Sequence, residues 1–217
     1  MIHPDIWSEF VQRERSLGAR RLDYPEWHKG RPRYHLWAID ADTEPVNERV
    51  RQHRTRLHDY LVQPDARQAH ITVAVSGFLG PETLHDDDIT PELVELQALR
   101  VLALSLPPFT LHLGGANSFA SAPFLEVADS QGALARIRQA LTPDGREFRT
   151  TAYVPHVTIG IYNGDHAVAQ LAPLLGTDHE DAIAIVVNAV GLHSYDARRI
   201  GSPLRLERTI PLAATEH

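Results

Sequence analysis

The sequence predicts an α+β fold made of duplicated β-α-β units in two lobes, with antiparallel sheets facing a central cleft. Three observations carry this: a strand-helix-strand order that occurs twice, the similar lengths of the two units, and a His-x-Thr triplet in the closing strand of each. Leu36 and His70 are 34 residues apart and Phe124 and His156 are 32 apart, so order, length and motif repeat together.

Residues 1–32 contain Trp7, Trp27, Pro4, Pro25 and Pro32 and read as a short helix near Ile6 to Leu17 followed by irregular chain. They are taken as an extension packed on the main domain, 33–217. RYHLWAID, from Arg33 to Asp40, is aromatic and branched and reads as a strand. Thr43 then stands at an N-cap with Pro45 in the first turn, and Val46, Val50, Leu57 and Leu61 recur at near-helical spacing. QAHITVAVSGFLG, from Gln68 to Gly80, alternates as a strand does. TPELVELQALRVLAL is a helix opened by Thr90 and Pro91, and PFTLHLGG a strand. The second unit follows: APFLEVAD as strand, Ser130 to Leu141 as helix, YVPHVTIGIY as strand. Asp165 can cap a short helix ending near Gly176, and AIAIVVNAVGLHS and PLRLERTIPL complete roughly eight strands and four or five helices.

Composition narrows the function. With 43% hydrophobic and 23% charged residues the chain can bury a sizeable core. A formal charge of -7 disfavours a long nucleic-acid duplex as partner, while a short nucleotide stays compatible. No cysteine is present, which removes disulfides, thiolate metal sites and cysteine nucleophiles. Lys29 is the one lysine, so anions are met by arginine, and histidine, at 13, is over-represented. MIHPDIWSEF lacks a basic segment followed by an apolar one, and no run approaches about 18 apolar residues, so a soluble cytoplasmic protein without membrane contact is expected.

Strand alternation puts His70, Thr72, Ala74 and Ser76 on one side, opposite Ile71, Val73 and Val75, and puts His156, Thr158, Gly160 and Tyr162 opposite Val157, Ile159 and Ile161. Two such polar faces can wall one cleft. A histidine pKa of about 6.5 lets one imidazole act as base while another acts as acid, and the two threonine hydroxyls can hydrogen-bond non-bridging phosphate oxygens. Such a scheme uses no metal or cofactor. About 0.8 His-x-Thr triplets are expected by chance, so placement rather than count carries the signal: both occupy the same phase of similar strands closing similar units.

HITV at His70 and HVTI at His156 resemble the paired motifs of the two-histidine (2H) phosphoesterase superfamily, in particular its bacterial branch of RNA 2′,3′-cyclic phosphodiesterases or 2′-5′ RNA ligases. LWAID, FTLHLGGANSFASAPFLEVAD and GLHSYDARRIGSPLRLERTIPL are similar to that branch in the same order, so the likeness covers roughly Arg33 to Leu212. The resemblance implies metal-independent catalysis by His70, Thr72, His156 and Thr158 on 2′,3′-cyclic phosphates or 2′-5′ linkages of RNA ends or small nucleotides. The alternative is a catalytically inactive nucleotide- or RNA-binding relative. Phe78, Leu79 and Gly80 come about three residues later than in that branch, and Ile161 stands where an arginine often follows the second motif.

Trp37, in the first strand, is a candidate for stacking a base, with His35 on its face, and Tyr162 for reaching substrate from the His156 face. Phe119 is read as a loop anchor, Lys29, Arg31 and Arg33 as a solvated cluster, and HDDD at His85 to Asp88 as a solvated loop. His53 and His58 are five apart and do not share a helix face as paired zinc ligands would, so no metal site is assigned. The expected partner is a nucleotide or a short RNA end, and a monomer is expected.

Overall fold

The computed structural model describes residues 2–143, 153–175 and 181–213. In chain order the elements are α1 (Pro4–Val11), α2 (Pro25–His28), β1 (Arg33–Asp40), α3 (Glu44–Arg56), a 3-10 turn (His58–Tyr60), β2 (His70–Leu79), β3 (Asp88–Ile89), α4 (Pro91–Ala103), β4 (Phe109–Ser118), β5 (Pro123–Ala128), α5 (Ala133–Leu141), β6 (His156–Thr158), α6 (Val168–Leu175), β7 (Ile183–Val187), β8 (Ala189–Asp196) and β9 (Arg205–Pro211). Helices α1 to α4 each carry proline in the first turn, where the missing N–H would have had no partner. The Thr90 hydroxyl caps α4 through the Leu93 N–H. Thr43 sits at the N-cap of α3 but uses its backbone carbonyl, which accepts from Asn47. Helix α5 starts at Ala133, later than the sequence suggests, because Gly132 takes the left-handed conformation and Asp129 receives the Leu134 N–H. Asp165 receives the Gly18 N–H instead of capping a helix, and Gly176 lies outside the described residues.

The fold is α+β, as expected, and the two lobes share one curled sheet. Its order is β7-β4-β5-β6-β2-β1-β8-β9, with β3 beside β2, and the described strands are antiparallel except for the β2–β3 pair. The segment AIAIVVNAVGLHS divides at Asn188, and its halves join different lobes: β7 pairs with β4 and β8 with β1. One main core lies on the helix-covered face, where Trp37, Ile71, Leu125 and Val157 pack among Val50, Ala98 and Ile137 from the helices. A smaller cluster contains Tyr34, Val75 and Phe78 of β1 and β2, joined by Trp27 of α2, whose ring is 4.9 Å from that of Tyr34.

The duplication extends to side chains. Arg54 of α3 donates through Nε to the carbonyl of Ile159, three residues past His156, at 2.6 Å. Arg138 of α5 donates to the carbonyl of Val73, three residues past His70, at 2.7 Å. Each unit's helix thus grips the histidine strand of the other.

Residues 15–22 run along the loops of both lobes: Leu17 donates to Ala120, Ala19 to Tyr162, and Leu22 accepts from Ile200. Arg31, read as solvated, is half-sequestered between Asp87 and Asp88 with its guanidinium 3.8 Å over the Phe78 ring. HDDD is therefore an ion-paired anchor for the chain entering β1.

Candidate active site

Strands β2 and β6 are neighbours, paired at Ile71 and Val157. This antiparallel register sets His70 across from Thr158 and Thr72 across from His156, on the face opposite the buried Ile71 and Val157. The two polar faces therefore meet side by side in one sheet rather than as opposing walls. The four motif residues form a compact patch.

Each motif imidazole is oriented by its own strand. His70 Nδ1 lies 2.8 Å from the Gln68 carbonyl and His156 Nδ1 lies 2.7 Å from the Val154 carbonyl, in both cases two residues back. A carbonyl only accepts, so both rings carry hydrogen on Nδ1, which makes Nε2 the basic nitrogen of the neutral form. Burial lowers the His70 pKa to about 4 against the opposing bond to Gln68, with Arg67, His193 and His156 adding positive field. His70 is thus neutral near pH 7.

The surroundings differ between the two rings. The Tyr153 hydroxyl donates to the Thr72 carbonyl at 3.0 Å, and burial raises its pKa, which keeps it a donor. His156 meets the rings of Phe119 and Phe124 at 5.0 and 5.3 Å, and Phe119 is stacked on Phe124, as a loop anchor would be. Glu126 is paired opposite His156 and is 1% exposed; it accepts from the Ile2 and His3 backbone and from Asn117.

Three expected substrate contacts lie elsewhere. Trp37 is 0% exposed and points into the main core, where its Nε1 donates to Gln97 at 2.8 Å, so it has no face for a base. His35 shares that side of β1, away from His70, and lines a separate cavity of about 340 Å³ with Arg33, Phe78 and Glu207. Tyr162 is also 0% exposed, its hydroxyl bonded to Ser118 at 2.8 Å. Strand β6 ends at Thr158, so the alternation that would have aimed Tyr162 outward stops four residues earlier. In β2, extra residues opposite the Leu36 and Ala38 steps of β1 break the alternation as well. Ala74 consequently joins the core and Ser76 contacts Gln97 instead of continuing the His70 face.

Sequence reasoning passed over His193 of β8 and the Arg67–Tyr195 pair, whose guanidinium sits 4.1 Å over the ring. The signal for His193 was the alternation of GLHSY, in a strand not known to lie near β2. Among the described residues no group of three or more His, Asp or Glu side chains could hold a metal ion, and no helix is long and apolar enough to cross a membrane.

The model of the 2′-5′ RNA ligase superfamily matches residues 42–199. The fold is similar to that of E. coli LigT complexed with 3′-AMP, at 16% identity over 85% of this chain and 99% of that one, with a TM-score of 0.56. It is also similar to E. coli LigT complexed with ATP, at 15% identity over 84% and 99% with a TM-score of 0.52. The protein TT0787 of Thermus thermophilus matches at 12% identity over 84% and 100%, with a TM-score of 0.57. No curated protein matches the chain.

Proposed function

The chain belongs to the 2′-5′ RNA ligase superfamily, and on that premise we propose that it is a phosphoesterase acting on 2′,3′-cyclic phosphates or 2′-5′ phosphodiesters of RNA ends or small nucleotides. The observation that carries this reading is the pairing of His70 and His156 on adjacent strands with each Nδ1 bonded to its own carbonyl. Two Nε2 atoms beside two threonines suit an in-line displacement at phosphorus. His70, neutral down to about pH 4, takes a proton from the attacking water. The water oxygen bonds to phosphorus as the bond to the departing sugar oxygen breaks, and that oxygen takes a proton from His156. A bound phosphate anion favours the charged imidazolium that this role needs. Thr72 and Thr158 donate to the non-bridging oxygens, where charge gathers. No step passes through a metal. The LigT complexes with 3′-AMP and ATP support a nucleotide-sized ligand.

The test is incubation of purified protein with nucleoside 2′,3′-cyclic phosphates and a 2′-5′ dinucleotide, with and without EDTA. Turnover that survives EDTA is expected. Turnover abolished by EDTA overturns the metal-free scheme, and binding without turnover identifies an inactive nucleotide-binding relative instead.

A further inference from the structure

Phe119 stands beside the acid of the proposed reaction. It is half-buried in the loop between β4 and β5, with its ring centroid 5.0 Å from that of His156 and 4.2 Å from that of Phe124. The Phe124 ring is in turn 5.3 Å from His156, so the three centroids form a nearly equilateral triangle. Phe119 and Phe124 are close to parallel, at 25°, and the imidazole is close to equidistant from both. The imidazole therefore lies beside the stack rather than over an outer face. Phe124 is 0% exposed and is paired with Thr158, which puts it on the motif face as the inner ring. Phe119 is the outer ring, and among the described residues no other aromatic ring and no cation is stacked on its far side.

The loop fixes this ring in advance of any ligand. The Phe119 N–H donates to the Ala122 carbonyl at 3.0 Å, and the Phe119 carbonyl accepts from the Ser118 hydroxyl at 2.7 Å. That hydroxyl is bonded to the buried Tyr162 hydroxyl at 2.8 Å, and the Asn117 side-chain oxygen accepts the Ser118 N–H at 2.7 Å. A ring held in this way stacks a partner at little entropic cost. We infer that the outer face of Phe119 stacks the nucleobase of the departing sugar and makes the site selective for nucleoside over base-free cyclic phosphates, an inference that rests on the phosphoesterase reading of the site. His156 gives its proton to the departing 2′ or 3′ oxygen, so the phosphate sits at His156 and the base of the same sugar lies one sugar's span away, where Phe119 stands. Trp37, the aromatic residue of β1, is sealed in the core and offers no such face. Stacking accepts every base by its π-face, and a purine presents more area than a pyrimidine, so adenosine and guanosine substrates are favoured over cytidine and uridine ones.

The experiment compares adenosine 2′,3′-cyclic phosphate with glycerol 1,2-cyclic phosphate, which has the five-membered phosphate ring and no base. The readout is the ratio of their kcat/KM values, which is independent of how much of each variant is folded. Phe119→Leu is expected to lower that ratio at least about tenfold, chiefly through KM for the adenosine substrate, and Phe119→Tyr to keep it near that of the wild type. A residue that only props His156 affects both substrates alike, so a wild-type ratio in Phe119→Leu overturns the inference. Absence of turnover of either substrate by the wild type overturns the phosphoesterase reading, and calorimetric titration with adenosine 3′-monophosphate then decides the stacking separately. Binding at least about tenfold weaker in Phe119→Leu supports it, and equal affinity, or no binding by the wild type, overturns it.

Discussion

Arg54 and Arg138 satisfy equivalent carbonyls in opposite lobes, and both carbonyls lie where the sheet ladder is interrupted. Val73 is the extra residue of β2 opposite the Trp37–Ala38 step, and Ile159 lies just past the end of β6. Buried carbonyls need partners, and here the partner comes from the helix of the other unit. Hydrogen bonds from charged donors contribute about 1.5 to 3 kcal/mol. Arg54→Met and Arg138→Met should each lower unfolding free energy by about that amount in urea titrations. A loss confined to one of them would mean that the two halves are not equivalent in stability.

The motif histidines should dominate the kinetics. His70→Ala and His156→Ala are each expected to lower kcat/KM for a cyclic nucleotide by about 10² or more, as for loss of a general acid or base. Thr72→Val and Thr158→Val should cost about 1 to 3 kcal/mol of transition-state stabilisation each. Steady-state rates on folded variants decide this, and a fully active histidine variant would exclude that residue from proton transfer.

The low pKa of His70 has two consequences. The acid limb of kcat/KM should fall near pH 4 rather than near 6.5, so most activity persists at pH 5. Stability follows the same group: between about 6.5 and 4 the unfolded chain binds a proton that folded His70 refuses. Stability therefore falls as pH drops through that window, by about 3 kcal/mol from this residue, and is regained above it. His70→Asn should flatten this part of the stability profile; an unchanged slope would place the proton uptake elsewhere.

Trp37 and Tyr162 should behave as core residues. Trp37→Phe removes the donor to Gln97 and Tyr162→Phe the bond to Ser118, so each should lower stability by about 1 to 3 kcal/mol with little change in KM. A large rise in KM with unaltered melting would contradict their burial.

The sequence by itself determined the α+β class, the two units and the motif pair, because these rest on local periodicity and on repetition within one chain. His70 and Thr72, like His156 and Thr158, share a face for the reason that any strand puts residues i and i+2 together, and no knowledge of neighbours was needed. Alternation failed where pairing intervened: extra residues in β2 turned Ala74 and Ser76 away, and the early end of β6 sent Tyr162 into the core. Trp37 and His35 face away from His70 because the side of β1 that looks toward the site is set by which neighbours pair with it. His193 lies on the same face of the sheet as His70 only because β8 leaves β7 at Asn188 and crosses to the other lobe. Strand order arises from contacts between residues far apart in the chain, and one strand's own pattern of apolar and polar residues carries no record of its partners. Tertiary structure alone decided which side chains surround the two histidines.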